Sequence, residues 1–442
     1  MFVKSRISVC TIALIAVGLP QFVLSAPQEQ ADKSTGGASS PSSSGLTSAP
    51  SDQLTLGAFD FHPRVRSGVL LDDNILFSAR NTQSDAVWQV APGLEIFGGD
   101  RSTLNSYRST DSSFDPNTIS SSWLVVRPDE YWPGKFVSAD YSPRWNWYTH
   151  HSVNDSIDQF LTANAIWPMS KLTLGFRQDF VDEKTVLEYA LSLNRIRRYR
   201  SEVNAGYRFS DKFSADTAFS IEDVNYPDSR ALTGYTEYKD TLNLTWEAGE
   251  QTHIGLLAEA GWDDVSRLGS VEMGQQFERF GPRLRYDYST LLSFDGSLGV
   301  EMRQFDSGRD SATTPFLSLG ASYRAWERGT FRALIGRQVY GSLANGYYYT
   351  STSAGVQYRQ GITDRFTLGT ELNYVQADSI SSIKNNLPKS LSEYYSFRLN
   401  GEVKLVKALS MNLYYQFRGS GLFKSGDNID DNQLGLELNL RY

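Results

Sequence analysis

The chain has 442 residues, 42 Lys and Arg against 50 Asp and Glu, a formal net charge of −8 and one cysteine. That balance argues against a nucleic-acid partner, which asks for a basic surface. A single cysteine builds neither a disulfide framework nor a thiolate metal site. Beyond the amino-terminal segment, no stretch approaches the roughly 20 apolar residues that a membrane-spanning α-helix needs.

Lys4 and Arg6 precede an apolar run from Ile7 to Leu24, broken by Gly18 and Pro20 and followed by the small residues Ser25 and Ala26. The pattern predicts a secretory signal peptide over 1–25, cut after Ser25 because Pro27 disfavours the bond after Ala26. Cys10 sits inside this run and leaves with it. Ile7-Ser8-Val9 lacks the small-residue pattern of a lipid-anchored cysteine. Residues 26–53, with Ser42-Ser43-Ser44-Gly45, carry almost no large apolar side chain and cannot offset their ordering entropy; they read as a disordered periplasmic leader.

From 54 to 442 the chain reads as one all-β body. Short turn signals recur at Pro168-Met169-Ser170-Lys171, Ser210-Asp211-Lys212, Ala248-Gly249-Glu250, Asp287-Tyr288-Ser289-Thr290, Glu327-Arg328-Gly329, Gly361-Ile362-Thr363-Asp364 and Lys407-Ala408. Their spacing of about 40 residues is that of an up-and-down hairpin with a longer far loop. Between them apolar and polar residues alternate. Tyr199, Val203, Ala205, Tyr207 and Phe209 oppose Arg198, Arg200, Glu202, Asn204 and Arg208; Phe280, Pro282, Leu284, Tyr286 and Tyr288 oppose Arg279, Arg283, Arg285 and Asp287. In the same way Tyr395, Phe397, Leu399, Val403 and Leu405 oppose Arg398, Asn400, Glu402 and Lys404.

The opposite links are longer and polar, as in 227–234, 306–314, 378–390 and 420–432, with Asn345-Gly346 a tight exception. Counting runs predicts a transmembrane antiparallel up-and-down β-barrel of about 18 strands, with about 16 the alternative. Two segments complicate the count. Residues 100–134 have room for a strand near Trp123 to Val126, and the alternation from Leu187 to Phe209 exceeds one membrane crossing. A soluble sandwich has the same period, but Trp145, Trp147 and Tyr148 near a strand end suit an interfacial aromatic girdle.

The last run places Leu434, Leu436, Leu438, Leu440 and Tyr442 on one face and Gly435, Glu437, Asn439 and Arg441 on the other. It is predicted to close the barrel against a first strand near Phe59 to Leu71, with the terminal aromatic read by the barrel assembly machinery. A slip of one residue would turn the charged face into lipid.

Phe61-His62-Pro63, Asp72-Asp73-Asn74-Ile75 and Val90-Ala91-Pro92-Gly93-Leu94 resemble the start of the outer-membrane β-barrel porins encoded beside exopolysaccharide and exosortase loci in Gram-negative bacteria. Where that family often has an aromatic before the acidic turn, this chain has Leu71. The resemblance implies an outer-membrane barrel with porin-like or polysaccharide-associated duty and no established catalytic residues.

The residues that carry chemistry are few in kind. His253 follows a short turn, and His150 and His151 sit in a long-side loop with no Gly-x-Ser-x-Gly to join, so a barrel hydrolase is disfavoured. Asp72, Asp73 and Asn74, with Asp427, Asp430 and Asp431, lack the ligand spacing of a dedicated calcium loop and read as turn formers; no metal is assigned. No nucleotide motif is present and no cofactor is expected.

Arg greatly outnumbers Lys, and Arg198, Arg200, Arg208, Arg283, Arg285, Arg324 and Arg398 fall opposite the apolar face. In lipid each would cost about 2–4 kcal/mol near the midplane, so they belong to the lumen. With Glu202, Asp287, Glu371 and Glu402 they form either a bracing ladder of ion pairs or an electropositive channel, and the two readings are compatible.

The leading expectation is therefore an outer-membrane diffusion channel for small or oligosaccharide solutes, not an enzyme. The alternative is the barrel component of an exopolysaccharide export or anchoring system. There the leader and the 100–134 insert would meet periplasmic partners. The amino terminus and short turns are expected in the periplasm, the long loops outside, and lipid around the wall.

Overall fold

The computed structural model describes residues 54–101, 103, 134–187, 192–229, 234–265, 274–305, 311–326, 328–340, 348–380, 392–421 and 428–441. Strand β1 (Leu54–Leu56) turns at Gly57, whose φ of 66° favours glycine, onto β2 (Phe59–Asp72). Then come β3 (Asp85–Gly99), β4 (Phe136–Tyr148), β5 (Ser156–Pro168), β6 (Leu172–Leu187), β7 (Ser192–Arg208) and β8 (Phe213–Asn225). The middle of the chain forms β9 (Tyr235–Gly249), β10 (Thr252–Val265), β11 (Gln275–Tyr286), β12 (Leu292–Phe305), β13 (Ala312–Trp326) and β14 (Gly329–Tyr340). It ends with β15 (Tyr348–Gly361), β16 (Phe366–Ile380), β17 (Ser392–Val406), β18 (Leu409–Ser420) and β19 (Ile429–Arg441).

Each strand from β2 to β19 pairs antiparallel with the next, and β19 pairs with β2, closing a ring of 18 strands. The closing register runs from Gln433↔Asp72 to Arg441↔Arg64, the pairing expected for the last and first strands. β19 stops short of the start of β2, where β1 takes over with Thr55↔Asp60. The seam thus leaves little open edge for another chain to join.

Alternation decides what the ring presents. Leu434, Leu436, Leu438 and Leu440 are 39% to 49% exposed on the outer face, while Asp431 and Gln433, in step with Glu437, are buried on the other. The same holds at Tyr199, Val203 and Tyr207 against Glu202 and Asn204. β7 is one strand of 17 residues, which accounts for the overlong alternation before Phe209. Trp147 is exposed on the outer face, but Tyr148 alternates onto the lumen face, because consecutive residues of a strand cannot share a side.

Seven of the short connections repeat one rim: β5–β6, β7–β8, β9–β10, β11–β12, β13–β14, β15–β16 and β17–β18. Three of them use the same device. The hydroxyls of Ser210, Ser289 and Thr363 each accept the backbone N–H groups two and three residues on, pre-forming the turn before Phe213, Leu292 and Phe366. Asp100 and Lys135, which flank the β3–β4 connection, and both ends of the barrel share this rim. Trp123 to Val126, Asn345-Gly346, Tyr442 and residues 1–53 lie outside the described residues.

Candidate functional site: a lumen bridged by one loop

The loop from Asp73 to Ser84, between β2 and β3, turns inward at the long-loop rim. The Asp72 carboxylate accepts the Asn74 N–H at 2.8 Å, and the Asn74 amide oxygen accepts the Ser78 N–H at 3.0 Å. The Asn74 amide NH2 donates to the carbonyls of Ser78 and of Asp430 on β19, both at 3.0 Å. These bonds drive Phe77 into the bore with a φ of 50°, a left-handed backbone that a bulky residue adopts only when its surroundings hold it.

What holds it is burial. Phe77 is 0% exposed and packs with Val186 of β6, Tyr394 of β17 and Ile429 of β19, flanked by Leu193 of β7 and Val375 of β16. The Arg418 guanidinium lies 5.6 Å over its ring. β6 and β17 stand on opposite sides of β2 in the ring, so this cluster bridges the lumen rather than lining one wall.

Beside the bridge, Arg418 Nε donates to Asp431 at 2.6 Å, Gln433 donates to Asp72 at 2.6 Å, and Arg418 stands 3.8 Å from Asp72. Carboxylate oxygens of Asp72, Asp73 and Asp431 come within 4.8 Å of one another. Asn432 donates its N–H and its amide to Asp73, so Asp72 and Asp73 are engaged by amides and Asp431 by a guanidinium through Oδ2, while its buried Oδ1 has no hydrogen-bond partner among the described residues. Asp427 lies outside the described residues.

Two further lumen clusters brace the wall. Arg144 bonds Asp158 at 2.8 Å and reaches Glu183 at 3.4 Å, and Asn146 donates to Asp158 at 2.6 Å. Arg279 sits between Glu259 at 2.5 Å and Glu301 at 2.7 Å. Arg303 bonds Glu301 and donates to the Val339 carbonyl at 3.0 Å. Asp158 and Glu301 are 0% exposed. An unpaired charge at that depth is costly, and the matched pair is what permits it.

The register puts every arginine expected in the lumen on the inner face, most of them with partners. Arg198 stands 3.7 Å from Glu222, Arg200 bonds Glu202 at 3.1 Å, and Arg285 bonds Asp287 at 3.2 Å. Arg398 lies 4.4 Å over the Tyr414 ring and opposite Glu371. Glu402 meets Arg359 at 3.4 Å. Arg208 pairs across to Ser214, Arg283 is flanked by Gly255 and Ser297, and Arg324 stands exposed at the short-turn end of β13.

The histidines are dispersed. His253 is 3.9 Å from Asp287 at the short-turn rim. His150 and His151 donate their backbone N–H groups to Asp85, at 3.0 Å and 2.8 Å, and hold the β4–β5 loop to β3. His62 faces Arg101, which also reaches Asp60 at 3.3 Å.

Sequence reasoning passed over Arg144, Arg303 and Arg418; Asp72-Asp73-Asn74 forms the turn expected of it and in addition anchors the inward loop to β19. The available signal was Ile75 and Phe77, two large apolar residues in an otherwise polar loop, now 2% and 0% exposed.

No family model and no curated protein matches the chain. Among solved structures it is similar to OccAB4 of Acinetobacter baumannii, at 10% identity and a TM-score of 0.44 over 89% of this chain and 100% of that one. The outer membrane protein opdK of Pseudomonas aeruginosa gives 11%, 0.41, 87% and 99% for the same measures. The siderophore receptor PirA of Pseudomonas aeruginosa gives 10%, 0.42, 86% and 80%. A likeness of this degree assigns no cargo, so function rests on the lumen itself.

Proposed function

We propose that the protein is an outer-membrane channel that passes small or oligosaccharide solutes by passive diffusion, and that it is not an enzyme. The observation that carries this reading is a closed ring with an apolar outer face and an ion-paired inner one. Hydrocarbon outside and water inside is the one arrangement that satisfies both faces. Selection would come from the bore left beside the Phe77 bridge and from fixed charge on the wall. In this reading both barrel ends and the short turns face the periplasm, and the long loops face outward.

Purified full-length chain in planar bilayers tests it. A stable open conductance with anion preference is expected, reduced in preference when Arg283, Arg285 and Arg398 are replaced by Gln. An unchanged reversal potential would remove the charge-selection part.

One observation favours a second reading, an export barrel that opens only beside periplasmic partners. The first residues of the 100–134 insert are tied into the short-turn mouth, where Asp100 donates its N–H to the Lys135 carbonyl at 2.9 Å and Arg101 reaches Asp60. A barrel that stays closed until a periplasmic extract is added would support export over diffusion.

A further inference from the structure

Three consecutive strands, β13, β14 and β15, contain no aspartate or glutamate anywhere in their length. Register assigns their faces. Leu319 and Ile335 pair on the outer side, and Gly320, Leu334 and Gly355 form one row on the lumen side. Around that row the lumen face is built of Ser318, Ser322, Gly336 and Ser353. Leu334 is 43% exposed although it faces inward. Where β4 to β6 and β10 to β12 fill the lumen with interlocked ion pairs, this wall leaves a lane of hydroxyl and glycine positions.

The lane ends at the short-turn mouth in three cations on three adjacent strands. Arg332 pairs with Ser322 on one side and Gln357 on the other, and Arg359 pairs with Thr330. Arg324 is close enough to Arg332 for their like charges to repel. The Arg359 side chain is 68% exposed. Among the described residues, Glu402 of β17 meets Arg359 at 3.4 Å, Glu371 of β16 stands across from Gln357, and Asp295 of β12 leans over Gly320, further up the lane. Like charges gathered at one mouth, with hydroxyl and amide groups beside them, attract an oxyanion that accepts from guanidinium in a forked geometry.

We infer that Arg324, Arg332 and Arg359 form an anion-binding ledge at the short-turn mouth, which takes the carboxylate or phosphate group of a small hydroxylated solute travelling along the β13–β15 lane. The travelling part rests on the channel reading above; the ledge itself does not.

Calorimetric titration of the detergent-solubilised full chain with citrate, and separately with inorganic phosphate, tests the ledge. Saturable binding is expected, weakened at least tenfold when Arg324, Arg332 and Arg359 are all replaced by Gln, with the stronger arm telling carboxylate from phosphate. Heat-modifiable migration on gels checks that the variant barrel assembles; should the triple variant not, R332Q and R359Q singly are each expected to lose severalfold. Equal affinity in wild type and variants, or saturable binding of neither anion, overturns the ledge. In planar bilayers, citrate added on the short-turn side should lower the wild-type conductance. Calorimetric binding without any conductance would keep the ledge and remove the channel reading instead.

Discussion

The rings of Phe77 and Tyr394 lie 6.1 Å apart at an interplanar angle of 50°, joining the β2–β3 loop to β17, three strands along the ring from β2. Aromatic contacts of this kind add about 0.5–1.5 kcal/mol to the burial of the rings themselves. Here the contact sets an aperture, because the loop it anchors occupies space that a solute would need.

Phe77→Ala should therefore open the channel. Losing a buried Phe costs about 3–5 kcal/mol where the site cannot collapse, and the loop, held otherwise by Asn74, should detach at a fraction of that. Single-channel conductance is expected to rise severalfold with strand content unchanged by circular dichroism. A conductance equal to wild type would show that the loop does not limit the bore.

Arg418 is the cation that makes Asp431 and Asp72 tolerable beside the bridge. Arg418→Leu alone should destabilise the barrel by about 3–5 kcal/mol, because it strands a buried carboxylate. Adding Asp431→Leu should restore most of the loss. Unfolding temperatures of the two variants, read by heat-modifiable gel migration, check this; a double variant no better than the single one contradicts the pairing.

The faces of β19 predict opposite outcomes for neighbouring substitutions. Leu438→Arg puts a guanidinium on the outer wall at a cost of about 2–4 kcal/mol near the midplane. Asn439→Arg puts the same group on the lumen face, beside Arg66, which already donates to Asn439 at 3.0 Å. The yield of assembled barrel should fall steeply for the first and little for the second. Equal yields would mean that the register of closure differs from Leu438↔Ser67.

Gly435 belongs to the same strand and pairs with Tyr414. A methyl group there would run into the Tyr414 ring, whose position is shared with the Arg398 guanidinium above it. Gly435→Ala should shift Tyr414 and loosen that stack, lowering the unfolding temperature by several degrees, while Gly435→Ala with Tyr414→Ser should recover. Failure of the second change to rescue would assign the loss to the backbone.

Much of the barrel was legible in one dimension because its rules are local. Leu434 to Leu440 alternate with polar residues, and a strand turns that alternation directly into an outer and an inner face. Ser210, Ser289 and Thr363 mark turns because each hydroxyl bonds backbone within three residues. Arg198, Arg200 and Arg398 reached the lumen face for the same reason, without any knowledge of what stands across from them. Tyr148 departs from the girdle expected of it with Trp147, because the two-residue period and not aromatic content decides the side.

The amino-acid sequence by itself determined the all-β class, the outward leucines and aromatics, the inward charges and the seam between the first and last strands. Each of these depends on the two-residue repeat and on the cost of exposing charge to hydrocarbon. Only the tertiary structure decided which charges meet. Arg144 finds Glu183 two strands away, Phe77 of the β2–β3 loop finds Tyr394 on β17, and Arg324, Arg332 and Arg359 collect where three carboxylate-free strands end. Those relationships depend on ring closure and on where each strand's end falls around the ring, distances that no local repeat encodes.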